Sequence, residues 1–389
     1  MRKKKKENAK DVVLPHSKAK LDLYENYLIN YLRVLSLSPY FDKINLFDIY
    51  CGVGIYKDGN VGSPIITNKC IRQINDELGK MSKPLKEITV NINDYDAKKV
   101  LNVETHLSND KLSNCSYVYT TNEADLMLEI VAKKVNSYSN RERNLIFIDP
   151  YGYSDIDKNK IYRLLQNEYT EVILFLPVSQ MYRFADKAMT DEEKKCYDNL
   201  RKFINSFLSN SIVSEYDNFK SVFDFINELK EALSFNSKFY TCSHYIQRGG
   251  GNYNALFFIT SNIYGLEKMI EAKWKLDPTN GEGFKQIIPQ ISMFEQVEKE
   301  EEKNRNISSL KKLITDFITK YQSVNNVQLY KLCLTHEFQP TQTIKALDEL
   351  IKSKKIKIAD NTINPIGKYI NYRHFKENII KATFVINKI

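Results

Sequence analysis

The groups best suited to chemistry in this sequence are acidic residues near the ends of apolar runs and the glycines that follow one of them. Residues 46–50 form an apolar run typical of a buried strand, with Asp48 inside it. The loop that follows contains four glycines, at Gly52, Gly54, Gly59 and Gly62. Glycines let the backbone approach a ligand closely, and ligands bind at the carboxyl ends of strands in open α/β sheets. We therefore expect a ligand in this loop.

The spacing of Asp48, Gly52 and Gly54 helps to decide which ligand. A dinucleotide fingerprint requires a third glycine where Lys57 stands, and the G-K-[ST] sequence of a P-loop is absent. An acidic residue inside the strand, followed by G-x-G, resembles motif I of the class I S-adenosylmethionine-dependent methyltransferases. That resemblance implies that this stretch, including Tyr50, contacts the cofactor. An ordinary glycine turn after a buried strand is the alternative.

Two further strand ends supply candidate cofactor contacts. Residues 87–93 predict a second strand that ends at Asp94, whose carboxylate can accept hydrogen bonds from both hydroxyls of a ribose. Asp96 is expected to cap the next helix, and a capping role for both residues is the alternative. Residues 117–120 predict a third strand, and Asp125 stands at the head of the helix after it. In a methyltransferase this turn approaches the adenine, but Asp125 can equally be a cap.

A fourth predicted strand, residues 144–148, ends in Asp149-Pro150-Tyr151-Gly152. Methyltransferases that act on exocyclic amines have [DN]-P-P-[YF] or D-P-F-G at this place. The acidic side chain and a proline carbonyl accept hydrogen bonds from the amine, and the aromatic ring stacks on the base. Because these contacts orient the nitrogen lone pair towards the methyl group, positioning supplies most of the catalysis. A plain turn with Pro and Gly is the alternative.

The surrounding sequence predicts the elements that position these groups. A one-sided apolar stripe predicts a helix over residues 16–35, and Ser63 and Pro64 are expected to be the N-cap and first residue of the next helix. The remaining elements are a fifth strand over 171–177, a helical insertion over about 180–235 and an antiparallel hairpin of strands 240–246 and 253–260, with Trp274 in the core beyond it. Arg183 begins the insertion, close enough to the fifth strand to meet a substrate.

The carboxyl-terminal part predicts a separate domain. A charge run over residues 296–306 indicates a linker or an exposed helix. Three amphipathic helices and a short β segment then follow, over residues 310–321, 327–337, 341–353 and 355–358. This order resembles a winged helix, whose third helix would contact nucleic acid through Thr341, Gln342 and Lys345. Protein binding or dimerisation is the alternative.

The composition limits the class of protein. The 389 residues, 42% of them hydrophobic, allow two domains, and 57 Lys and Arg against 48 Asp and Glu give a charge of +9 that favours a polyanionic partner. Six cysteines without a C-x-x-C pair indicate reduced thiols and a cytoplasmic protein. No apolar run reaches the roughly 18 residues of a membrane span. The basic residues 1–15 predict a disordered tail.

A longer motif makes the resemblance more specific. The pattern D-x-Y-C-G-x-G-x-Y-x-D-G-x-x-G-S-P over residues 48–64, followed by N-D-Y-D and I-D-P-Y-G, resembles the three-Cys-motif partner proteins, TcmP. The likeness runs from about residue 17 to residue 275. It implies a methyltransferase-like fold and a neighbouring radical-type partner protein with three cysteines. Tyr56 and Lys57, in the same loop, are candidates for contact with the substrate or nucleic acid.

Together these observations predict an α/β, Rossmann-like class I methyltransferase sheet of seven strands with a terminal antiparallel hairpin. The expected domains are residues 16–295, a charged linker at 296–307 and a winged helix at 308–389. The expected activity is S-adenosylmethionine-dependent methylation of nucleic acid, at an exocyclic base nitrogen. A catalytically silent binding module is the first alternative. The second is phosphate chemistry with a metal ion held by the carboxylates Asp48, Asp58, Asp94 and Asp149.

Overall fold

The computed structural model describes residues 13–154, 156–191, 193–208, 221–248, 251–285, 295–359 and 369–387, with only the backbone described for 295–305. The chain divides into two compact units. The first comprises Met1–Gly265 with Phe284–Gln286, and the second comprises Leu266–Gly283 with Ile287–Ile389. The predicted basic tail lies largely outside the described residues.

The first unit is built on a mixed β-sheet. Its strands are β1 (Lys43–Asp48), β2 (Glu87–Asn93), β3 (Cys115–Thr120), β4 (Glu142–Ile148), β5 (Thr170–Leu176), β6 (Tyr240–Arg248), β7 (Asn252–Thr260) and β8 (Gly283–Phe284). Their order in the sheet is β3-β2-β1-β4-β5-β7-β6-β8. Strands β1 to β5 are parallel, and β7 is antiparallel to both β5 and β6. The predicted parallel sheet with a closing hairpin is confirmed.

The strand count differs from the expected seven. The described residues form eight strands in this sheet, because the two-residue β8 adds an edge strand beside β6. A Gly-Phe pair has neither the alternation nor the length by which a strand is recognised in a sequence. The central strands were recognisable because β1, β4 and β5 are buried over almost their whole length, as strands covered on both faces are.

Helices connect and cover these strands. They are α1 (Pro15–Leu37), α2 (Ser63–Lys80), α3 (Ala97–Ser108), α4 (Ala124–Asn136), α5 (Lys158–Leu164), α6 (Val178–Thr190), α7 (Asp198–Phe207) and α8 (Val222–Leu233), with a short 3₁₀ turn at Lys195–Tyr197. The next helix, α9 (Ile263–Leu276), belongs to the second unit from Leu266 onwards. The predicted helical insertion corresponds to α6, α7 and α8, although residues 209–220 within it are outside the described part.

Helix α1 is anchored to the sheet by its tyrosines. The ring of Tyr24 stacks on Phe147 of β4 with centroids 4.4 Å apart, and its hydroxyl lies 2.8 Å from the Thr67 hydroxyl. The Tyr27 hydroxyl, on the next turn, donates to the carboxylate of Glu171 in β5. These contacts fix the direction of α1, so its amino-terminal turns lie near the carboxyl ends of β4 and β5.

The buried carboxyl group of Glu171 makes the stability of this unit depend on pH. Burial raises the pKa of Glu171 from 4.5 to about 7, although hydrogen bonds from Tyr27 and Thr260 oppose the shift. Because the folded pKa is the higher one, stability from this group is fully present below pH 4.5. It is lost as the pH rises to about 7.

We therefore expect Glu171→Gln to remove part of the fall in unfolding free energy between pH 4.5 and 7.5. The difference between variant and wild type across this range should be at most about 3 kcal/mol, the value of 2.5 pKa units. Chemical denaturation at several pH values measures it. The exposed Glu168→Gln is the matched control. Equal pH slopes for wild type and Glu171→Gln would show that Glu171 does not titrate in this way.

The second unit contains a small antiparallel sheet and further helices. Its elements are α10 (Glu295–Tyr321), β9 (Ser323–Asn325), α11 (Asn326–Thr335), α12 (Pro340–Lys352), β10 (Ile356–Ile358), α13 (Tyr372–Lys376) and β11 (Thr383–Ile386). The three strands pair in the order β10-β11-β9. The predicted helices and the predicted short β segment are present, the latter as β10.

The charged segment is helical. Residues 296–306 lie within α10, since Glu and Lys are strong helix formers. The two compact units divide at Gly265, within α9. Within the second unit, the Trp274 indole donates to the Glu337 carbonyl at 2.9 Å. Trp274 is buried, as its predicted core role requires.

Candidate functional site

Three carboxylates meet at one edge of the sheet, as the sequence predicted. Asp48 is the last residue of β1, Asp94 directly follows β2, and Asp149 directly follows β4. Because β2, β1 and β4 are adjacent and parallel, their carboxyl ends lie side by side. The proximity is also electrostatic, since the charges of Asp149 and Asp94 both raise the pKa of Asp48.

Asp48 is a buried carboxyl group that ties β1 to α2. It accepts hydrogen bonds from the Ser63 hydroxyl at 2.6 Å and from the Tyr50 backbone amide at 3.3 Å. Burial is the main cause that raises its pKa to about 7. The prediction that Ser63 caps α2 is wrong: Gly62 is the N-cap and Ser63 is the first helical residue. Its hydroxyl instead satisfies the buried acceptor Asp48.

The glycine loop is closed by its own backbone. Ile55 and Val61 form an isolated antiparallel bridge, and the Tyr56 amide donates to the Asn60 carbonyl at 2.9 Å. The side chain of Asp58 accepts from the Asn60 amide at 3.0 Å and from the Val13 amide at 3.0 Å. Asp58 is therefore a turn residue, which leaves the metal hypothesis without one of its four carboxylates.

The two central glycines of the motif have different physical requirements. Both have positive φ, +62° for Gly52 and +75° for Gly54. A Cβ on Gly54 would lie 2.7 Å from the Val103 side chain of α3, whereas a Cβ on Gly52 would meet nothing within 4 Å. Gly54 thus permits close packing between the loop and α3. Gly52 has open space beside its backbone, as a ligand-binding glycine requires.

Cys51, between the strand and these glycines, is a buried packing residue. Burial, followed by the negative charges of Asp48 and Asp94, raises the pKa of its thiol well above the ordinary range. A thiol that stays protonated is a poor nucleophile. Its position in the motif therefore does not indicate covalent catalysis.

Asp94 is only 1% exposed, and several donors surround its carboxylate. The backbone amides of Gly52 and Asp96 donate to it at 3.1 and 3.0 Å, and the Lys99 ammonium lies 3.2 and 3.3 Å from its two oxygens. Lys99 also donates to the Tyr151 hydroxyl. The cap predicted for Asp96 is confirmed by its acceptance of the Lys98 amide at 3.0 Å.

Lys99 joins two parts of the candidate site that are far apart in sequence. Burial opposes its charge, but hydrogen bonds to Tyr151 and Asp94 raise its pKa above the ordinary value. It lies on the first turn of α3, between the predicted ribose-binding residue and the predicted aromatic residue. Lys99 was missed from the sequence, because an isolated lysine in a helix carries no sequence signal of such a contact.

Asp149 forms an ion pair with Lys20 of α1. The Lys20 side chain is 12% exposed, and its ammonium lies 4.7 Å from the centre of the Phe175 ring. Lys20 was also missed from the sequence. A signal was present, because Lys20 stands four residues before Tyr24 and seven before Tyr27, on the buried face of the helix.

The residues after Asp149 divide between burial and exposure. Pro150 is buried, while the Tyr151 side chain is 70% exposed and its ring meets that of buried Tyr50 edge to face, with centroids 6.3 Å apart. Tyr56 is half-buried nearby: burial, followed by the charge of Asp149, raises the pKa of its hydroxyl. Lys57 is exposed on the loop.

Asn93 holds the strand ends together and was missed from the sequence. Its amide nitrogen donates to the carbonyls of Ile49 and Asn122 at 3.1 and 3.0 Å. Its amide oxygen accepts from the Asn122 backbone at 3.0 Å and from the Thr120 hydroxyl at 2.8 Å. One buried side chain therefore links the ends of β1 and β3 to β2. The only sequence signal is an asparagine in the last position of an apolar strand.

Other predicted residues lie in different surroundings. Asp125 is exposed in the first turn of α4, where its carboxylate pairs with Lys160 of α5. It does not act as the N-cap, which is Glu123. Arg183 is exposed on α6 and lines a cavity with residues of α1 and β7.

The three residues predicted to contact nucleic acid lie on α12, in the second unit. Gln342 forms a capping box with Gln339, whose backbone amide donates to it at 2.7 Å. Thr341 and Lys345 are exposed. Thr343, in the same turn, is fully buried. The exposed polar side chains at the start of the helix therefore do not include Thr343.

The described residues contain no group of three or more His, Cys, Asp and Glu side chains placed to hold a metal ion. Among the helices that the structure describes, none is both long and apolar enough to cross a membrane.

The chain matches no protein family model and no curated protein. It is similar to the solved O-methyltransferase TomG from Streptomyces achromogenes in complex with SAM, at 12% identity and a TM-score of 0.31, over 66% of this chain and 91% of that chain. It is also similar to loganic acid methyltransferase with SAH, at 9% identity and a TM-score of 0.34, over 71% of this chain and 86% of that chain. A third similar structure is PKMT2 from Rickettsia typhi in complex with AdoHcy, at 12% identity and a TM-score of 0.27, over 64% of this chain and 56% of that chain.

All three TM-scores are below 0.5. The strand order of this chain itself defines the fold. Five parallel strands in the order β3-β2-β1-β4-β5, closed by the antiparallel hairpin β6-β7, form the α/β Rossmann-like sheet of the class I methyltransferases.

Proposed function

We propose that this chain is an S-adenosylmethionine-dependent methyltransferase. The observation that carries the proposal is the meeting of the open glycine Gly52, the strand-end carboxylate Asp94 and the Asp149-Pro150-Tyr151 sequence at adjacent strand ends. The first two suit a nucleoside cofactor, and the third suits an acceptor amine. When bound, the cofactor would supply an electrophilic methyl group on a sulfonium ion.

The residues present fit such a cofactor. Gly52 offers free space beside its backbone, and Asp94 offers two carboxylate oxygens next to it, joined by a 3.1 Å hydrogen bond from the Gly52 amide. Two oxygens on one carboxylate match two neighbouring ribose hydroxyls. Because Lys99 already contacts both oxygens, ribose binding requires Lys99 to release part of that contact.

Asp149 would orient the acceptor. Its side chain, held by the ion pair with Lys20, has oxygens that can accept a hydrogen bond from an amine and direct the nitrogen lone pair. The exposed ring of Tyr151 can stack on a flat acceptor such as a base. No strong base is needed, because formation of the N–C bond makes the nitrogen acidic, and its proton can then pass to the Asp149 side chain or to solvent.

A nucleic acid acceptor is part of the proposal. It is supported by the charge of +9, by the exposed Lys57 and Arg183, and by the exposed Tyr151 ring. We also propose that the second unit is a winged helix. The support is the element order α10, β9, α11, α12, β10 and β11, with the strands paired as β10-β11-β9. Membership of the TcmP family, and a three-Cys radical-type partner, stay predictions.

A catalytically silent binding module is the second candidate. The observation in its favour is that Lys99 and the Gly52 amide already satisfy Asp94, which is almost fully buried. In that case the fold would deliver a partner enzyme to nucleic acid without using the cofactor.

The test is transfer of a tritiated methyl group from S-adenosylmethionine to DNA, RNA and protein pools separately. We expect incorporation into a nucleic acid pool, with nucleoside analysis identifying an N-methylated base. Incorporation only into protein would overturn the acceptor. No incorporation into any pool, by a folded protein that also fails to bind the cofactor, would favour the silent module.

A further inference from the structure

A cavity of about 570 Å³ lies beside the proposed acceptor site, within the first unit. It is enclosed by the start of α1, the first turns of α6 and the facing ends of β6 and β7. Its α1 wall includes His16, which stands one helical turn before Lys20, the partner of Asp149. The cavity therefore adjoins the edge at which β4 and β5 end.

The cavity has a positive lining without an acidic counterpart. Arg183 and Arg248 both line it, and none of the described residues around it is acidic. Neither guanidinium forms an ion pair with a carboxylate in the part of the chain that the structure describes. Burial, followed by the charges of Arg248 and Lys20, lowers the pKa of His16 to about 4. The neutral imidazole can still donate or accept a hydrogen bond.

A buried amide completes the lining. Asn254 of β7 is 6% exposed and lines the cavity, and no hydrogen bond to its side chain is found among the described residues. Because Asn254 lines the cavity and its amide is not taken up by another described residue, that amide can bond to a polar occupant. The wall is held in place by Ser179, whose hydroxyl accepts from the Tyr253 amide at 2.6 Å.

We propose that this cavity binds a phosphate group of the acceptor, held by Arg183, Arg248 and the Asn254 amide. Guanidinium groups match the geometry of phosphate oxygens, and each can donate two parallel hydrogen bonds. Phe184 lines the same cavity with 39% of its surface exposed, a suitable place for a neighbouring base to stack. The inference rests on the proposed function, since it assigns the phosphate to the methyl acceptor.

The experiment compares wild type, the double variant Arg183→Gln/Arg248→Gln and the control Arg163→Gln, an exposed arginine on α5. Fluorescence anisotropy measures the affinity of a labelled single-stranded oligonucleotide at several salt concentrations. The double variant should bind at least about tenfold more weakly. The slope of log K against log salt concentration should become shallower by about 1.4, because each of two lost contacts with a single-stranded phosphate removes about 0.7. The control should resemble wild type.

Two further measurements separate the possible failures. Calorimetric binding of S-adenosylhomocysteine should be the same in wild type and double variant, because the cavity is not the cofactor site. Competition by a nucleoside monophosphate, compared with the nucleoside, shows whether a terminal phosphate suffices or a polynucleotide backbone is needed. Oligonucleotide affinity unchanged in the double variant would overturn the cavity proposal alone. Loss of S-adenosylhomocysteine binding by wild type would overturn the proposed function.

Discussion

Replacing Asp149 with alanine should lower the rate of methyl transfer by about 10²–10³-fold, the usual effect of removing one group that orients or stabilises a reacting atom. Affinity for S-adenosylhomocysteine should be nearly unchanged, because the proposed cofactor residues Gly52 and Asp94 follow β1 and β2, whereas Asp149 follows β4. Single-turnover rates measure the first quantity, and calorimetry measures the second. Lost cofactor binding in a folded variant would move Asp149 to the cofactor site.

Two companion variants separate charge from shape at this position. Asp149→Asn keeps an oxygen that accepts a hydrogen bond, so we expect it to retain more activity than Asp149→Ala. Lys20→Met removes the ion-pair partner while keeping an extended side chain. If Lys20 positions Asp149, this variant should lower the single-turnover rate and leave cofactor affinity unchanged. Full activity in Lys20→Met would show that the ion pair serves only stability.

Replacing Gly54 with alanine should destabilise the first unit by about 2–5 kcal/mol. The new Cβ would lie 2.7 Å from the Val103 side chain, and the backbone has a φ of +75°. Overpacking costs about 1–3 kcal/mol, and the unfavourable backbone conformation costs about 1–2 kcal/mol. Denaturant unfolding, followed by circular dichroism, measures the loss.

Gly52→Ala is the matched variant, since its φ is also positive but its Cβ would meet nothing within 4 Å. We expect a smaller loss, about 1–2 kcal/mol, from the backbone conformation alone. Cofactor binding should fall, because the methyl group would occupy the space beside the backbone. Val103→Ala should partly rescue Gly54→Ala in a double-mutant cycle, and it should not rescue Gly52→Ala. Equal destabilisation by both alanines would contradict this division of roles.

The sequence predicted those features that depend on local patterns. Buried strands such as β4 are continuous apolar runs, and their ends place Asp48, Asp94 and Asp149 at one edge. The cap at Asp96 and the buried position of Trp274 were also predicted, since short-range spacing and residue type determine them. These features follow from the local sequence and do not require knowledge of which distant residues are in contact.

The features that the sequence did not predict are contacts between distant residues. Lys20 meets Asp149 only because Tyr24 and Tyr27 orient α1 on the sheet. Lys99 likewise joins residues from two different strand ends. Such ion pairs depend on the three-dimensional path of the chain, which neither periodicity nor motif spacing contains.

Residues that look equivalent in the sequence can also have different roles in the structure. Gly52 and Gly54 are equivalent in the G-x-G pattern, yet only Gly54 packs against α3. The acidic and basic residues over 296–306 suit a linker or a helix equally well by composition, and the structure shows a helix. Ser63 looks like a cap, but the nearby buried Asp48 is its hydrogen-bond partner.

The central claim is that the glycine loop and Asp94 bind S-adenosylmethionine. Isothermal titration calorimetry with S-adenosylmethionine and S-adenosylhomocysteine tests it most directly, using wild type, Asp94→Asn and the control Asp76→Asn, an exposed aspartate on α2. We expect micromolar binding by wild type, at least about tenfold weaker binding by Asp94→Asn, and wild-type affinity in Asp76→Asn. Absence of binding to folded wild type would contradict the claim.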